Sequence, residues 1–177
     1  MANLRSDISL GSRMLRVNHA GEHGAVNIYA GQILAARLTA SSLVPELAEF
    51  KAHEEKHRAL FWAELQLRGV RRCRSYWLCG TGGFLLGLLT GVLGRHFIAS
   101  TTVAVERVVL KHLRAQLQEL SGHDDRAVSV ISAIVEEEQH HHDQSASHLS
   151  KVQVMPALVG HVVSASTESV IWLGMRI

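Results

Sequence analysis

Apolar and polar residues along this chain recur with the three- and four-residue spacing of α-helices almost throughout. No run shows the strict alternation of a half-buried β-strand. The pattern predicts five helices, with an uncharged segment between the second and the third. The uncharged segment covers 76–94, and the third helix is expected to begin after it, at about His96. The five helices are expected to end at about Ala40, Leu67, Leu120, Ser150 and Trp172.

Residues that favour helix ends set these boundaries. Short polar side chains cap helix starts, glycine favours helix ends, and proline breaks a helix that precedes it. The helix starts are expected to be capped by Ser6 or Asp7, by Ser41 or Ser42 and by Asp124, and the helices are expected to stop or break at Gly69, Gly122 and Pro156.

Composition agrees with a helical domain. The chain has 177 residues, enough for one domain over 1–177, with 47% hydrophobic residues, 5% aromatic residues and 2 prolines. A formal net charge of +2 gives no reason to expect a nucleic-acid partner. The 2 cysteines, Cys73 and Cys79, favour free thiols in a reducing compartment over a disulfide framework. The opening "MANLRSDISL" lacks the apolar region of a secretory signal.

The stretch "VEEEQHHHD" contains two overlapping Glu-x-x-His motifs, Glu137 with His140 and Glu138 with His141. This spacing places both side chains on one helix face, one turn apart, so that both can bind one ion. A further Glu-x-x-His motif occurs upstream in "KAHEEKHRAL", where Glu54 precedes His57. Ferritin-like di-metal bundles use two such motifs together with one glutamate from each of two other helices.

Two isolated glutamates supply the remaining positions with a regular spacing. Glu54 follows Glu22 by 32 residues, and Glu138 follows Glu106 by 32 residues. Each histidine, His57 or His141, follows the isolated glutamate of its own half by 35 residues. This internal repeat of a helical hairpin selects Glu138 with His141 over Glu137 with His140. The sequence predicts a four-helix di-metal site with the ligands Glu22, Glu54, His57, Glu106, Glu138 and His141.

The chemistry of this set favours a metal over a solvated charge run. Buried without a cation, four carboxylates would repel one another and lose hydration at a cost of several kcal/mol each. A mixed carboxylate and imidazole set suits iron or manganese without excluding zinc. Glu106 also follows the uncharged stretch "IASTTVAV", which favours a buried position.

The remaining histidines are expected to have lesser roles. His112 follows Glu106 by six residues, about 240° around the helix, so it is expected to be a partner of a ligand or a polar core group rather than a ligand. His140 and His142 flank the ligand and are expected to be solvated or to hydrogen-bond near it. No role in the site is expected for His19, His23, His53 and His161.

Four motifs in order resemble the demethoxyubiquinone hydroxylase family of di-iron enzymes in ubiquinone biosynthesis. They are "LRVNHAGEHGAVNIYAGQ", "HEEKH", "TVAVE" and "EEEQHHHD", and the resemblance extends from about Met14 to the C-terminus. By position, the family's ligands fall on the same six residues that the repeat selects. The family often has a His-Tyr pair after the third glutamate; this chain has His112 and Leu113, so no role can be transferred to that tyrosine.

The resemblance implies an all-α, ferritin-like four-helix di-metal bundle with two additional apolar helices. It implies a di-iron monooxygenase that hydroxylates the ring of a demethoxyquinone (2-polyprenyl-3-methyl-6-methoxy-1,4-benzoquinol) with O2 and a reductant. Two iron ions are the expected cofactor, and NADH or another donor supplies electrons. No GxGxxG motif follows a strand, so no folded dinucleotide domain is expected. A biosynthetic complex and a homo-oligomer stay open.

Two other functions are consistent with the same residues. A ferroxidase or peroxidase-type di-iron protein could use the same bundle, although a ferroxidase needs no apolar route for a substrate and the 2 cysteines cannot supply a four-cysteine iron site. A non-catalytic, metal-binding helical bundle associated with a membrane is the alternative of another class.

The segment 76–94 and the later apolar stretch 154–172 are predicted to associate with a membrane. Nineteen helical residues reach about 28 Å, nearly the thickness of a bilayer core. A single crossing by 76–94 would separate the two halves of the metal site, so a span is excluded. The segment is expected to lie across the bundle end or to enter one leaflet, while a helix packed on the core is the alternative. The headgroups would contact Arg71, Arg72, Arg74 and Arg95. The expected location is the cytoplasmic face of the cell membrane, or the matrix face of the inner membrane in a mitochondrion.

Overall fold

The computed structural model describes residues 8–149 and 154–176, and these residues form helices and connections without a β-strand. The all-α prediction is confirmed. In chain order the helices are α1 (Leu10–Thr39), a 3-10 turn (Ser41–Leu43), α2 (Val44–Leu67), α3 (Tyr76–Leu93), α4 (Arg95–Leu120), α5 (Asp125–Ser132), α6 (Val135–Ser147) and α7 (Val154–Gly174).

The caps agree in part with the sequence prediction. Asp124 caps α5, and its Oδ1 accepts a hydrogen bond from the backbone N of Ala127 at 3.1 Å. The prediction for α1 is wrong: Ser9 caps this helix, whereas Ser6 and Asp7 lie outside the described residues. The prediction for α2 is also wrong, because Ser41 and Ser42 belong to the 3-10 turn and Leu43 occupies the cap position. Two glycines end helices as predicted, with left-handed φ values of 64° at Gly69 and 72° at Gly122.

Two helix boundaries near the C-terminus differ from the prediction. The expected helix that ends at about Ser150 is divided into α5 and α6 at Ala133 and Ile134. Neither residue is glycine or proline, so the sequence has no signal for this break. Pro156 was expected to precede the last helix, but α7 begins at Val154. A proline is tolerated there because amides in the first turn have no acceptor within the helix.

The uncharged segment forms α3, which packs lengthwise along α1. Moving up both helices in the same direction, Gly83 packs on Gly24, Gly87 on Ile28 and Gly91 on Ala35. The backbones approach so closely that a methyl group on Gly83 or Gly87 would collide with a carbonyl oxygen of α1. The expectation that this segment lies across the bundle end is therefore wrong, and the alternative of a helix packed on the core describes its buried face.

The last helix, α7, has the corresponding place on α4. The hydroxyl of Ser164 donates a hydrogen bond to the carbonyl oxygen of Ala104 at 3.3 Å, and Glu168 contacts Lys111 and His112 further along the same pair of helices. In each half of the molecule, an apolar helix thus packs along the first bundle helix: α3 along α1, and α7 along α4.

Among the described residues, the two larger apolar clusters of the core lie one on each side of a polar layer. Phe61, Leu65 and Ile134 belong to one cluster, and Tyr29 and Phe50 belong to the other. The four glutamates and two histidines singled out by the repeat lie between these clusters along α1, α2, α4 and α6. This arrangement is that of a ferritin-like di-metal bundle.

Candidate metal centre

The six residues selected by the repeat converge in the middle of the bundle. All are buried, with at most 5% of the surface of any one exposed. Their side chains form two groups in which one ligand atom from each residue lies within 4.8 Å of the others. The first group is Glu22, Glu54, His57 and Glu138; the second is Glu54, Glu106, Glu138 and His141.

Glu54 and Glu138 belong to both groups. A carboxylate has two oxygens that can each accept a ligand bond, so Glu54 and Glu138 would be able to help hold two ions, one in each group. Glu22 and Glu106 then belong to one group each. The two groups are exchanged by the internal repeat, which relates Glu22 to Glu106 and Glu54 to Glu138. The role of these residues as metal ligands stays a prediction.

The imidazoles direct their Nδ1 atoms into the carboxylate layer. His57 Nδ1 lies 2.9 Å from Glu138 Oε1, and His141 Nδ1 lies 3.2 Å from Glu54 Oε1. All four of these atoms are buried, and none makes a well-oriented hydrogen bond. Unsatisfied buried polar atoms are costly, and a cation between them would satisfy all four. The residues present therefore fit a metal ion.

The pKa values of the site residues are shifted because four carboxylates are buried close together. Burial and the charge of Glu54 raise the pKa of Glu22 well above its ordinary value, and burial and the charge of Glu138 do the same for Glu106. Burial lowers the pKa of His57, but the adjacent carboxylates of Glu138 and Glu54 outweigh it and raise the pKa to about 10. These shifts show that a layer of four buried carboxylates attracts positive charge.

The Nε2 atom of each imidazole has a partner outside the layer. His57 Nε2 lies 2.8 Å from Glu137 Oε2, and Lys56 Nζ lies 2.6 Å from the other oxygen of Glu137. His141 Nε2 lies 3.0 Å from His53 Nδ1, and the two rings stack. His53, for which no role in the site was expected, therefore contacts a candidate ligand. A partner on the far nitrogen fixes the tautomer and orientation of a ligating histidine.

Sequence reasoning also missed Tyr29, whose hydroxyl donates a hydrogen bond to Glu106 Oε1 at 3.0 Å. Tyr29 lies seven residues after Glu22, two helical turns along α1. The heptad spacing placed it on the inward face, but nothing in the sequence linked it to the glutamate of α4.

A cavity of about 430 Å³ opens between the α1–α3 and α4–α7 pairs and reaches all four glutamates. Its wall is mostly apolar, with Val17, Ile28, Leu86, Val109, Val170 and Ile171 among the lining residues. The cavity therefore connects the surface near α3 and α7 with the carboxylate layer.

His112 is half-buried in the cavity wall, and its Nε2 lies 2.7 Å from Glu168 Oε2 on α7. The partner of His112 is thus Glu168 and not one of the six candidate ligands. Within the described part of the chain, none of the following histidines makes a hydrogen bond or ring contact with the carboxylate layer. His140 is exposed, His142 contacts Asp143, and His161 contacts the carbonyl oxygen of Ala157. His19 and His23 both stack on Tyr76. Cys73 and Cys79 are free thiols, as predicted.

Comparison with known proteins identifies relatives over nearly the whole chain. A relative from Dictyostelium discoideum, named NADPH-dependent 3-demethoxyubiquinone 3-hydroxylase, mitochondrial, is 30% identical over 93% of this chain and 76% of its own length. A mouse protein of the same name is 32% identical over the same shares. The 3-demethoxyubiquinol 3-hydroxylase of Rhodospirillum rubrum is 33% identical over 97% of this chain and 81% of its own length.

A sequence model of one family, described as ubiquinone biosynthesis protein COQ7, matches residues 9–174, a range that includes all six residues of the buried layer. Together with the relatives, this match shows that the chain belongs to the COQ7 family of ubiquinone biosynthesis proteins.

Proposed function

We propose that this protein hydroxylates the ring of a demethoxyquinol in ubiquinone biosynthesis, using O2 and a reductant. Three relatives with these family features are named as hydroxylases of this ring. The observation that supports the proposal most directly is the apolar cavity that ends on four carboxylates. A ring hydroxylase needs such a route for an apolar substrate, whereas a ferroxidase does not.

The expected ligands are Glu22, Glu54, His57, Glu106, Glu138 and His141. Two iron ions held by them would supply activation of O2 at the end of the cavity. In the overall reaction one oxygen atom enters a ring C–H bond, and the other leaves as water with two electrons and two protons. The protein's contribution is to hold the ligands in a dry layer and to align the ring with it.

The cavity wall provides a group for the substrate oxygens. His112 Nε2 faces Glu168, so an Nε2–H donor would leave Nδ1 unprotonated. That Nδ1 atom can accept a hydrogen bond from a quinol hydroxyl and orient the ring. Apolar residues of α3 and α7 at the cavity, Leu86 and Val170 among them, would contact the polyprenyl tail.

A nicotinamide nucleotide is the proposed reductant, because two of these relatives are named NADPH-dependent. The described residues contain no β-strand, and hence no strand–turn–helix dinucleotide fold. The nucleotide would therefore bind superficially or transfer electrons through the quinone.

A peripheral position on a membrane is proposed from α3 and α7. By length and a mean hydropathy of 1.5, α3 is long and apolar enough to cross a membrane, but one face is packed along α1. Its opposite face exposes large side chains, and α7 does the same: Trp77, Leu78, Leu85, Leu89, Val92, Leu158, Val162 and Trp172. Both helices border the cavity, so a quinone could enter from lipid.

Incubation of the iron-loaded protein with a short-chain demethoxyquinol, NADH or NADPH and ¹⁸O2 tests this function. The expected product is the hydroxylated quinol with one ¹⁸O atom, measured by mass spectrometry. Oxidation of iron without a ring product would contradict the proposal and favour a ferroxidase.

A paired substitution tests the cavity. Gly82 lines it, and a Cβ atom there meets nothing within 4 Å, so Gly82→Leu should narrow the cavity while the fold is retained. The neighbouring Thr81 is exposed and does not line the cavity, which makes Thr81→Leu the control. Only Gly82→Leu should raise KM.

A further inference from the structure

We infer that Glu137 and His53 are positioning residues that make the two metal positions unequal. The group with Glu22 and His57 should bind a divalent ion more tightly than the group with Glu106 and His141. The inference rests on the proposed two-metal centre and adds an order of binding to it.

The two positioning residues are equivalents in the internal repeat. His53 directly precedes Glu54 on α2, and Glu137 directly precedes Glu138 on α6. Each contacts the Nε2 atom of the histidine on the opposite helix, at 3.0 Å for His53 and 2.8 Å for Glu137. The geometry is therefore the same in both halves, while the chemistry differs.

A carboxylate and an imidazole act differently on a histidine ligand. With Nδ1 directed to a metal, the Nε2 atom bears the proton and must donate it to its partner. Glu137 accepts this hydrogen bond with a negative charge, which makes the His57 ring a stronger donor to a cation. His53 accepts it as a neutral ring, so His141 gains less. Lys56 offsets only part of the Glu137 charge because the lysine is more than half exposed.

A second difference between the two groups also favours tighter binding at the group with Glu22 and His57. The hydroxyl of Tyr29 donates a hydrogen bond to Glu106 Oε1. Such a hydrogen bond withdraws electron density from a carboxylate and makes it a weaker ligand. In the repeat the residue that corresponds to Tyr29 is Leu113, seven residues after Glu106, which cannot donate a hydrogen bond to Glu22. Both differences weaken the group with Glu106 and His141.

Cobalt(II) is a suitable probe because its visible spectrum reports each bound ion without turnover. Titration of the metal-free full-length protein should show two steps whose dissociation constants differ by about 10- to 100-fold, the usual effect of a partner on a ligating group. Two equal steps would overturn the inference while leaving a two-metal centre intact. Binding of fewer than two ions would contradict the proposed centre as well.

Two variants assign the steps, because Glu22 and Glu106 each belong to one group. Glu106→Ala should keep the tight step and lose the weak one, and Glu22→Ala should keep only the weak one. Glu106→Gln and Glu22→Gln repeat the comparison with shape retained. The reverse assignment would overturn the inference.

Substitution of the positioning residues tests their role directly. His53→Glu should tighten the weak step by about 10-fold or more, because Glu137 shows that a glutamate at the equivalent position reaches the opposite ring. Glu137→Gln should weaken the tight step by a similar factor and change its spectrum. Glu136→Gln, at an exposed neighbouring position, should change neither step. If His53→Glu and Glu137→Gln leave both steps unchanged, the positioning role is wrong.

Discussion

His57 on α2 is closer to Glu138 on α6 than to Glu54 on its own helix. The distance from His57 Nδ1 is 2.9 Å to Glu138 Oε1 and 3.8 Å to Glu54 Oε2. His141 has the mirror relationship, at 3.2 Å to Glu54 and 3.9 Å to Glu138. Each imidazole is thus paired with the shared carboxylate of the other half, and neither hairpin contains a complete group by itself.

Removal of a shared carboxylate should therefore abolish the function. Glu138→Ala takes a ligand from both groups, so we expect it to lose both metal ions and hydroxylation entirely. Glu137→Ala removes only a partner of His57, so a loss of about 10- to 100-fold is expected. Iron content and turnover of a short-chain quinol measure both effects. Equal losses in the two variants would show that the assignment of Glu138 rather than Glu137 is wrong.

The repeat made the inward residues of the site predictable, because it fixes spacing along two hairpins at once. It selected Glu138 and His141 among seven ionisable neighbours, and the structure buries both. His53 was not predictable in this way, since its contact with His141 joins residues 88 positions apart on different helices. The repeat shows that positions correspond, but not which side chains meet across the bundle.

The helix ends were likewise predictable only where a local sequence signal marks them. Gly69, Gly122 and Asp124 mark helix ends through their own backbone or side-chain preferences, and the structure confirms them. The break at Ile134 has no local signal, because this residue is fully buried in the core and its backbone angles depend on that packing. The lengthwise packing of α3 was likewise set by tertiary contacts with α1.

Two adjacent glycines of α3 should respond oppositely to a methyl group. A Cβ atom on Gly83 would collide with the carbonyl oxygen of Gly24, whereas one on Gly82 meets nothing within 4 Å. Gly83→Ala should lower the free energy of unfolding by about 1–3 kcal/mol. Gly82→Ala should raise it by about 0.5–1 kcal/mol, because alanine loses less backbone entropy in a helix. Urea denaturation measures both, and similar values would contradict close packing of α3 on α1.

The ion pair between Arg68 and Asp124 should add acid-sensitive stability. Two hydrogen bonds join them, at 2.6 and 2.8 Å, and those bonds hold the pKa of Asp124 below its ordinary value of 3.8. A depressed pKa contributes stability that is present above the unfolded value and is lost as the pH falls through the folded value.

Asp124→Asn tests this contribution, because asparagine can still cap α5. The variant should be less stable than the parent by about 1–2 kcal/mol at pH 7, and the difference should shrink below about pH 4. Thermal unfolding across pH measures it. A difference that stays constant down to pH 2 would show that capping or packing, rather than charge, is responsible.

The exposed face of α3 should hold the protein on a membrane. Leu85 and Leu89 are 61% and 60% exposed on the side of α3 away from α1, and Arg71 and Arg74, which shortly precede α3 in the chain, are also exposed. Burial of each leucine in lipid contributes about 1.5–3 kcal/mol, and an aspartate there removes that contribution. The double variant Leu85→Asp, Leu89→Asp should therefore reduce flotation with anionic vesicles at least 10-fold.

Leu38→Asp is the matched control, because Leu38 is 93% exposed but lies near the end of α1, outside α3 and α7. This variant should float like the parent protein, and high salt should weaken flotation of both if the arginines contact headgroups.

The double variant should still hydroxylate a short-chain quinol in solution, since neither leucine lines the cavity, but it should lose activity on a long-chain quinol held in vesicles. Equal flotation of all three proteins would show that α3 does not bind the membrane, and equal loss of activity on both quinols would place the defect in the bundle instead.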